Sequence, residues 1–233
     1  VSDATYSHPI CDAFIDAAVD AGYPRNKDFN GATQEGVGYQ QTTTRDGRRC
    51  STAVGYLRPA AKRPNLRVET RATTERVLFD GKRAIGIEYS RGGQIERAES
   101  TCETILSSGA VGSPQILQLS GVGDAEHLGR IGVPVVHESR GVGRNMQDHF
   151  QARVSYPVVG MATANEKSRG IPLAMEILRW MVSGKGMLTY SPSLVAASIK
   201  VLESSATSDM QVTFAPGSFK DGQIGELEDT PGL

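Results

Sequence analysis

The sequence predicts a mixed α/β fold, α+β in part, on three observations. Gly109-Ala110-Val111-Gly112-Ser113-Pro114-Gln115-Ile116-Leu117-Gln118-Leu119-Ser120-Gly121-Val122-Gly123 follows the apolar run Thr104-Ile105-Leu106, as a buried strand crossing into a helix would. Residues 66–107 read as short strands separated by Asp80-Gly81 and Arg91-Gly92-Gly93 turns, a small antiparallel meander. From residue 150 the composition shifts to a polar, glycine-containing stretch at 160–170, an apolar helix at 171–182 and strands near 195–201 and 209–215. That shift places a domain boundary near residue 149.

Each element has a local reason. Over residues 9–21, Ile10, Phe14, Ile15, Ala18 and Val19 fall on one helical face, with Ser7 as a cap, Pro9 at the start and Gly22 past the end. Asp28-Phe29-Asn30-Gly31 is a turn-rich loop, and residues 37–44 are β-branched and polar, ending at the Asp46-Gly47 turn. Residues 51–57 suit a short helix that stops before Pro59, because a residue preceding proline disfavours the helical region. Strands are expected at 66–70, 75–79, 83–89, 94–98 and 103–107. Ser113-Pro114 can cap and start the helix of the crossover, whose N-terminus offers free N–H groups to a phosphate. Asp124 caps a short helix to Arg130, residues 133–136 read as a strand, and Gly141-Val142-Gly143 breaks the chain.

Composition narrows the partners. The 233 residues suffice for one large domain or two small ones. A net charge of −1 without a run of like charges gives no reason to expect nucleic acid, and a small neutral substrate fits better. No apolar segment approaches the roughly 20 residues of a membrane span, and no signal-peptide pattern is present. Cys11, Cys50 and Cys102 lack metal or redox spacing and read as reduced thiols in a cytoplasmic protein. Nucleophile-elbow, zincin and P-loop motifs do not occur. His8, His127 and His137 have no partner spacing and read as surface or core histidines.

Residues 109–123 resemble, at every constrained position, the second signature of the glucose-methanol-choline (GMC) oxidoreductases, a match expected by chance on the order of once in 10⁸ positions. Asp28-Phe29-Asn30-Gly31, Gly47-Arg48-Arg49-Cys50-Ser51, Tyr56-Leu57-Arg58-Pro59, Arg63-Pro64-Asn65-Leu66 and Gly141-Val142-Gly143-Arg144-Asn145-Met146-Gln147-Asp148-His149 resemble further blocks of that family, in order. Met146 stands where leucine is usual, a volume-conserving change.

The resemblance implies an FAD-binding domain of dinucleotide type with a β-meander, joined to a substrate domain built on an antiparallel sheet. It implies residues 1–149 in the first and 150–233 in the second. It also implies FAD as cofactor, a primary alcohol as substrate, hydride transfer to the flavin, and an electron acceptor that is oxygen, a quinone or another oxidant. It puts the adenine-contacting main chain at Thr74, where valine is more common, and Ser108 and Gly109 on the adenine-ribose side. Asn145 and His149, with Asp148, fall at the expected domain junction near the cofactor. The family's N-terminal G-x-G-x-x-G and its C-terminal catalytic histidine segment are not found here, so no catalytic residue is assigned and the chain reads as the middle of such an enzyme. Trp180, Tyr156 and Tyr190 do not define an aromatic cage for a quaternary ammonium. Two function classes stay open: an FAD-dependent alcohol oxidoreductase, and a non-catalytic fragment acting as a structural or binding module.

Overall fold

In the computed structural model, which describes residues 1–189, 191, 193–220 and 225–233, the helices are α1 (Pro9–Asp20), α2 (Arg58–Ala60), α3 (Gly109–Leu119), α4 (Ala125–Arg130), α5 (Ala164–Lys167) and α6 (Gly170–Ser183). The strands are β1 (Gly36–Tyr39), β2 (Thr44–Arg45), β3 (Arg48–Arg49), β4 (Ala72–Asp80), β5 (Arg83–Arg91), β6 (Gln94–Glu99), β7 (Val122–Gly123), β8 (His137–Glu138), β9 (Val195–Ile199) and β10 (Met210–Phe214). The chain divides into two compact units: Val1–Arg63 with Ala152–Leu233, and Pro64–Gln151. The second break falls beside the expected boundary at 149, but residues 1–63 fold with the C-terminal segment rather than with 64–149.

The reason lies in the discontinuous unit's sheet. Its order is β1-β9-β10, antiparallel throughout, with Val37 opposite Ala197 and Val212 opposite Ala197 on the other side. Central β9 is Val-Ala-Ala-Ser-Ile, and its first four residues are buried, so it needs a neighbour on each edge. Tyr6, Cys11, Ile15, Val37, Ala164, Met187, Leu194, Val195 and Ala197 form the core, and Phe14 of α1 stacks on Phe214 of β10 at 4.4 Å. Helix α1 spans the predicted residues, but its cap is His8, not Ser7: the buried His8 Nδ1 accepts the Ile10 N–H at 3.3 Å, and Nε2 bonds the Ala162 carbonyl. The hairpin β2–β3 turns at Asp46-Gly47 as predicted, both with positive φ. The helix expected over 51–57 and ending before Pro59 is instead a π-helical stretch over Ala53–Leu57 that runs on through Pro59 in α2. Helix α5 lies inside the polar, glycine-containing stretch at 160–170, capped by a reciprocal Thr163–Glu166 box.

The continuous unit carries the meander β4-β5-β6. The strands expected at 66–70 and 103–107 do not form. Among the described residues no strand pairs with either, and Ile105 is 78% exposed. A strand without a neighbour leaves its backbone groups to water. Helix α3 begins at Gly109, five residues before the predicted start, with Pro114 inside it. The strand expected at 133–136 is instead the two-residue β8, parallel to β7. Val77, Tyr89, Ile116 and Leu128 are this unit's buried apolar residues.

Candidate functional site

All five residues expected at the cofactor lie in the continuous unit, on β4, at the start of α3 and in the segment after β8. Thr74 is half-buried opposite Tyr89, and the next residue, Glu75, is an extra residue in the ladder, because Arg76 already pairs with Glu88. Beyond that bulge the Val77 N–H donates to Ser120 Oγ at 2.8 Å, and the Ser120 hydroxyl donates to the Ile116 carbonyl at 2.5 Å. One buried hydroxyl therefore fastens β4 to the C-terminal end of α3.

At the other end of α3, Ser113 accepts the Ser108 N–H on its Oγ at 3.0 Å, so the serine expected to cap a helix starting at Pro114 instead ties down the residue preceding Gly109. Gly109 has φ +82, a left-handed conformation that favours glycine. A Cβ there would meet nothing within 4 Å, so glycine is required by backbone conformation and not by a neighbouring protein atom. Ser108 and Gly109 are both exposed.

The Gly141–His149 block is stitched to the signature helix. Gln118 of α3 donates from Nε2 to the Val142 carbonyl at 3.1 Å, and Arg144 pairs with Asp124 at 3.2 Å. Asp124 also accepts the His127 N–H at 3.0 Å, capping α4; that hydrogen bond, then the Arg144 and Arg140 charges, holds its carboxyl below the usual range. Asn145 follows with φ +57, and His149 is exposed with its N–H on Asp148 Oδ1 at 2.8 Å. Hydrogen bonds thus join the two sequence blocks and join β4 to α3, while none among the described residues links Thr74, Ser108, Gly109, Asn145 and His149 directly. Sequence reading missed Ser120, Gln118 and the Asp124–Arg144 pair. Ser120 closes the signature as part of Ser-Gly-Val-Gly, a signal that was available; Gln118 sits at a position the signature leaves free.

In the discontinuous unit, Trp180 lies on α6 with its Nε1 donating to the Gly47 carbonyl at 2.8 Å, and the Arg48 guanidinium sits 5.2 Å from the indole centroid. A cation already occupies that face. Tyr156 is 61% exposed, and Tyr190 lies outside the described residues.

A sequence profile of the GMC oxidoreductases matches residues 1–151. The chain belongs to the GMC oxidoreductase family. Oxygen-dependent choline dehydrogenase 1 of Chromohalobacter salexigens is 42% identical over 205 residues, covering 88% of this chain and 37% of that protein. Oxygen-dependent choline dehydrogenase of Pseudomonas putida is 52% identical over 153 residues, 64% of this chain and 27% of that protein. This GMC chain therefore spans about a third of the length of the curated relatives it matches. Among solved structures, an FAD-dependent oxidoreductase from Chaetomium thermophilum superposes with a TM-score of 0.73 at 26% identity, over 84% of this chain and 35% of that one. The mixed helix-and-sheet architecture with antiparallel sheets is thus that of GMC flavoenzymes, and their cofactor is FAD.

Around α3 this GMC chain offers room and free donors to a bound group. Space is open around Gly109, the first turn of α3 presents N–H groups with no intrahelical acceptor, and the Thr104 hydroxyl in the segment leading into α3 is buried without a partner among the described residues. No helix among the described residues is long and apolar enough to cross a membrane.

Proposed function

We propose that this chain is the middle part of an FAD-dependent alcohol oxidoreductase that oxidises a primary alcohol to an aldehyde, with oxygen, a quinone or another oxidant as electron acceptor. The flavin, when bound, accepts the hydride at N5. Thr74 offers main chain to adenine, Ser108 and Gly109 line the ribose, and Asn145 and His149 lie toward the cofactor from the block that Gln118 tethers. The observation that carries this reading is the signature helix beginning at Gly109 with φ +82 and free space beside it, within a chain that is 42% identical to a choline dehydrogenase over 88% of its length. Choline is one candidate among primary alcohols. Three free thiols support a reducing, cytoplasmic setting.

The test is anaerobic bleaching of the flavin band, in the complete enzyme that carries these residues, on addition of a panel of primary alcohols that includes choline. Bleaching by at least one alcohol is expected. No bleaching by any alcohol in an enzyme that retains FAD overturns the reading in favour of a non-catalytic module.

A further inference from the structure

We propose that the cleft between the β2–β3 hairpin and the C-terminal end of α6 binds a small, multiply charged anion carrying phosphate or carboxylate groups. The cleft measures about 870 Å³ and lies within the discontinuous unit. Gly47 and Gly184 build it: a Cβ on Gly47 would lie 2.2 Å from the Gly184 carbonyl oxygen, so the hairpin turn rests against the helix end, and the Trp180–Gly47 hydrogen bond fixes the indole in the wall.

Three cations line this space. Arg45 and Arg48 are direct cross-strand partners, which puts both side chains on one face of the hairpin. Lys185 follows the Gly184 cap of α6. Like charges directly opposite one another destabilise a strand pair, yet among the described residues no carboxylate lies within ion-pair distance of Arg45, Arg48 or Lys185. Asp46, at the turn, also lines the cleft without forming an ion pair, and leaves it with a positive excess. Arg48 is held over the Trp180 ring, so its planar fork is ordered before a ligand arrives. A forked oxyanion matches that donor set, and a quaternary ammonium would be repelled by it. The site does not depend on FAD binding or alcohol oxidation.

Trp180 is the sequence's single tryptophan, so intrinsic fluorescence reads the cleft directly. The 233-residue chain is titrated with inorganic pyrophosphate and, separately, with citrate, at ionic strength held constant with sodium chloride. A saturable change in Trp180 emission is expected, weakened about tenfold in Arg45→Ala and in Lys185→Ala. The stronger probe tells whether phosphate or carboxylate is the natural group. Lys185→Ala leaves the hairpin backbone intact and decides the matter if Arg45→Ala unfolds. A response no greater than sodium chloride alone, or an affinity unchanged in the variants, overturns the proposal. Flavin retention and bleaching are unaffected by either outcome, so failure here leaves the oxidoreductase reading standing.

Discussion

The two units are held together by different means. The discontinuous one is organised by burial: among the described residues nine core residues cluster on and around β9, and a buried polar hub at Asn165 joins α5 to the backbone of Ser218, Glu228 and Thr230. The continuous unit has four buried apolar residues and is pinned by hydrogen bonds such as Val77 to Ser120, while ion pairs line its surface, with Arg91 between Glu69 and Glu96, and Glu88 between Arg76 and Arg97. Exposed pairs of that kind contribute little to stability. The unit that carries every residue expected at the cofactor is therefore the one with the thinner core, and its site segments lie at the surface on a scaffold pinned at a few points.

Substitutions can sharpen or break this contrast. The largest effect is expected at Asn165, which is 1% exposed and whose Oδ1 accepts the Ser218 N–H at 3.1 Å. Asn165→Ala leaves several buried groups unpaired and should cost about 4 kcal/mol in urea unfolding. A loss below about 1 kcal/mol would mean that this hub is not what holds the discontinuous unit. Ser120→Ala strands the buried Val77 N–H and should cost about 2 kcal/mol, detaching β4 from α3 while leaving the other unit's amide protection unchanged. If protection falls equally in both units, they do not respond separately. Gln118→Ala should cost about 1 kcal/mol or less, with faster hydrogen exchange confined to residues 141–149.

The smallest effect is one of pH. Burial holds the His8 imidazole below its ordinary value of 6.5, outweighing the Ala162 carbonyl, which raises it. The unfolded chain takes up a proton as pH falls through 6.5 while the folded chain resists it, so this stability is present above that value and lost below it. His8→Asn keeps a cap acceptor without the titration, and its melting temperature should fall less steeply between about pH 7 and pH 5. An unchanged slope would show that His8 is not the group responsible.

Elements defined by local pattern were legible in the sequence: α1, α4, the meander, the β2–β3 turn, α6, β9 and β10 all lie where periodicity and turn residues put them. The family was legible too, because its signature is a contiguous run. What failed was non-local. The pairing of β1 with β9 joins segments at opposite ends of the chain, and no local pattern announces it. Residues 103–107 have strand composition but no neighbour among the described residues, and composition alone does not make a ladder. Two local signals point elsewhere than the structure: Ser113-Pro114 looks like a helix start but lies within α3, with Ser113 accepting the Ser108 N–H, and Thr163-x-x-Glu166 is a capping box inside a stretch noted only as polar and glycine-containing. At the site, the left-handed φ of Gly109 requires glycine by itself, and the space beside it is open.

The assignment of the adenine side to the continuous unit is tested most directly by nuclear magnetic resonance of the isotopically labelled chain titrated with adenosine. Adenosine carries no phosphate and so does not engage the cationic cleft of the other unit. Saturable shifts centred on Thr74, Ser108 and Gly109, abolished by Gly109→Val, are the predicted result. Shifts confined to residues 1–63 and 152–233, or no saturable shift up to the solubility limit, would contradict it.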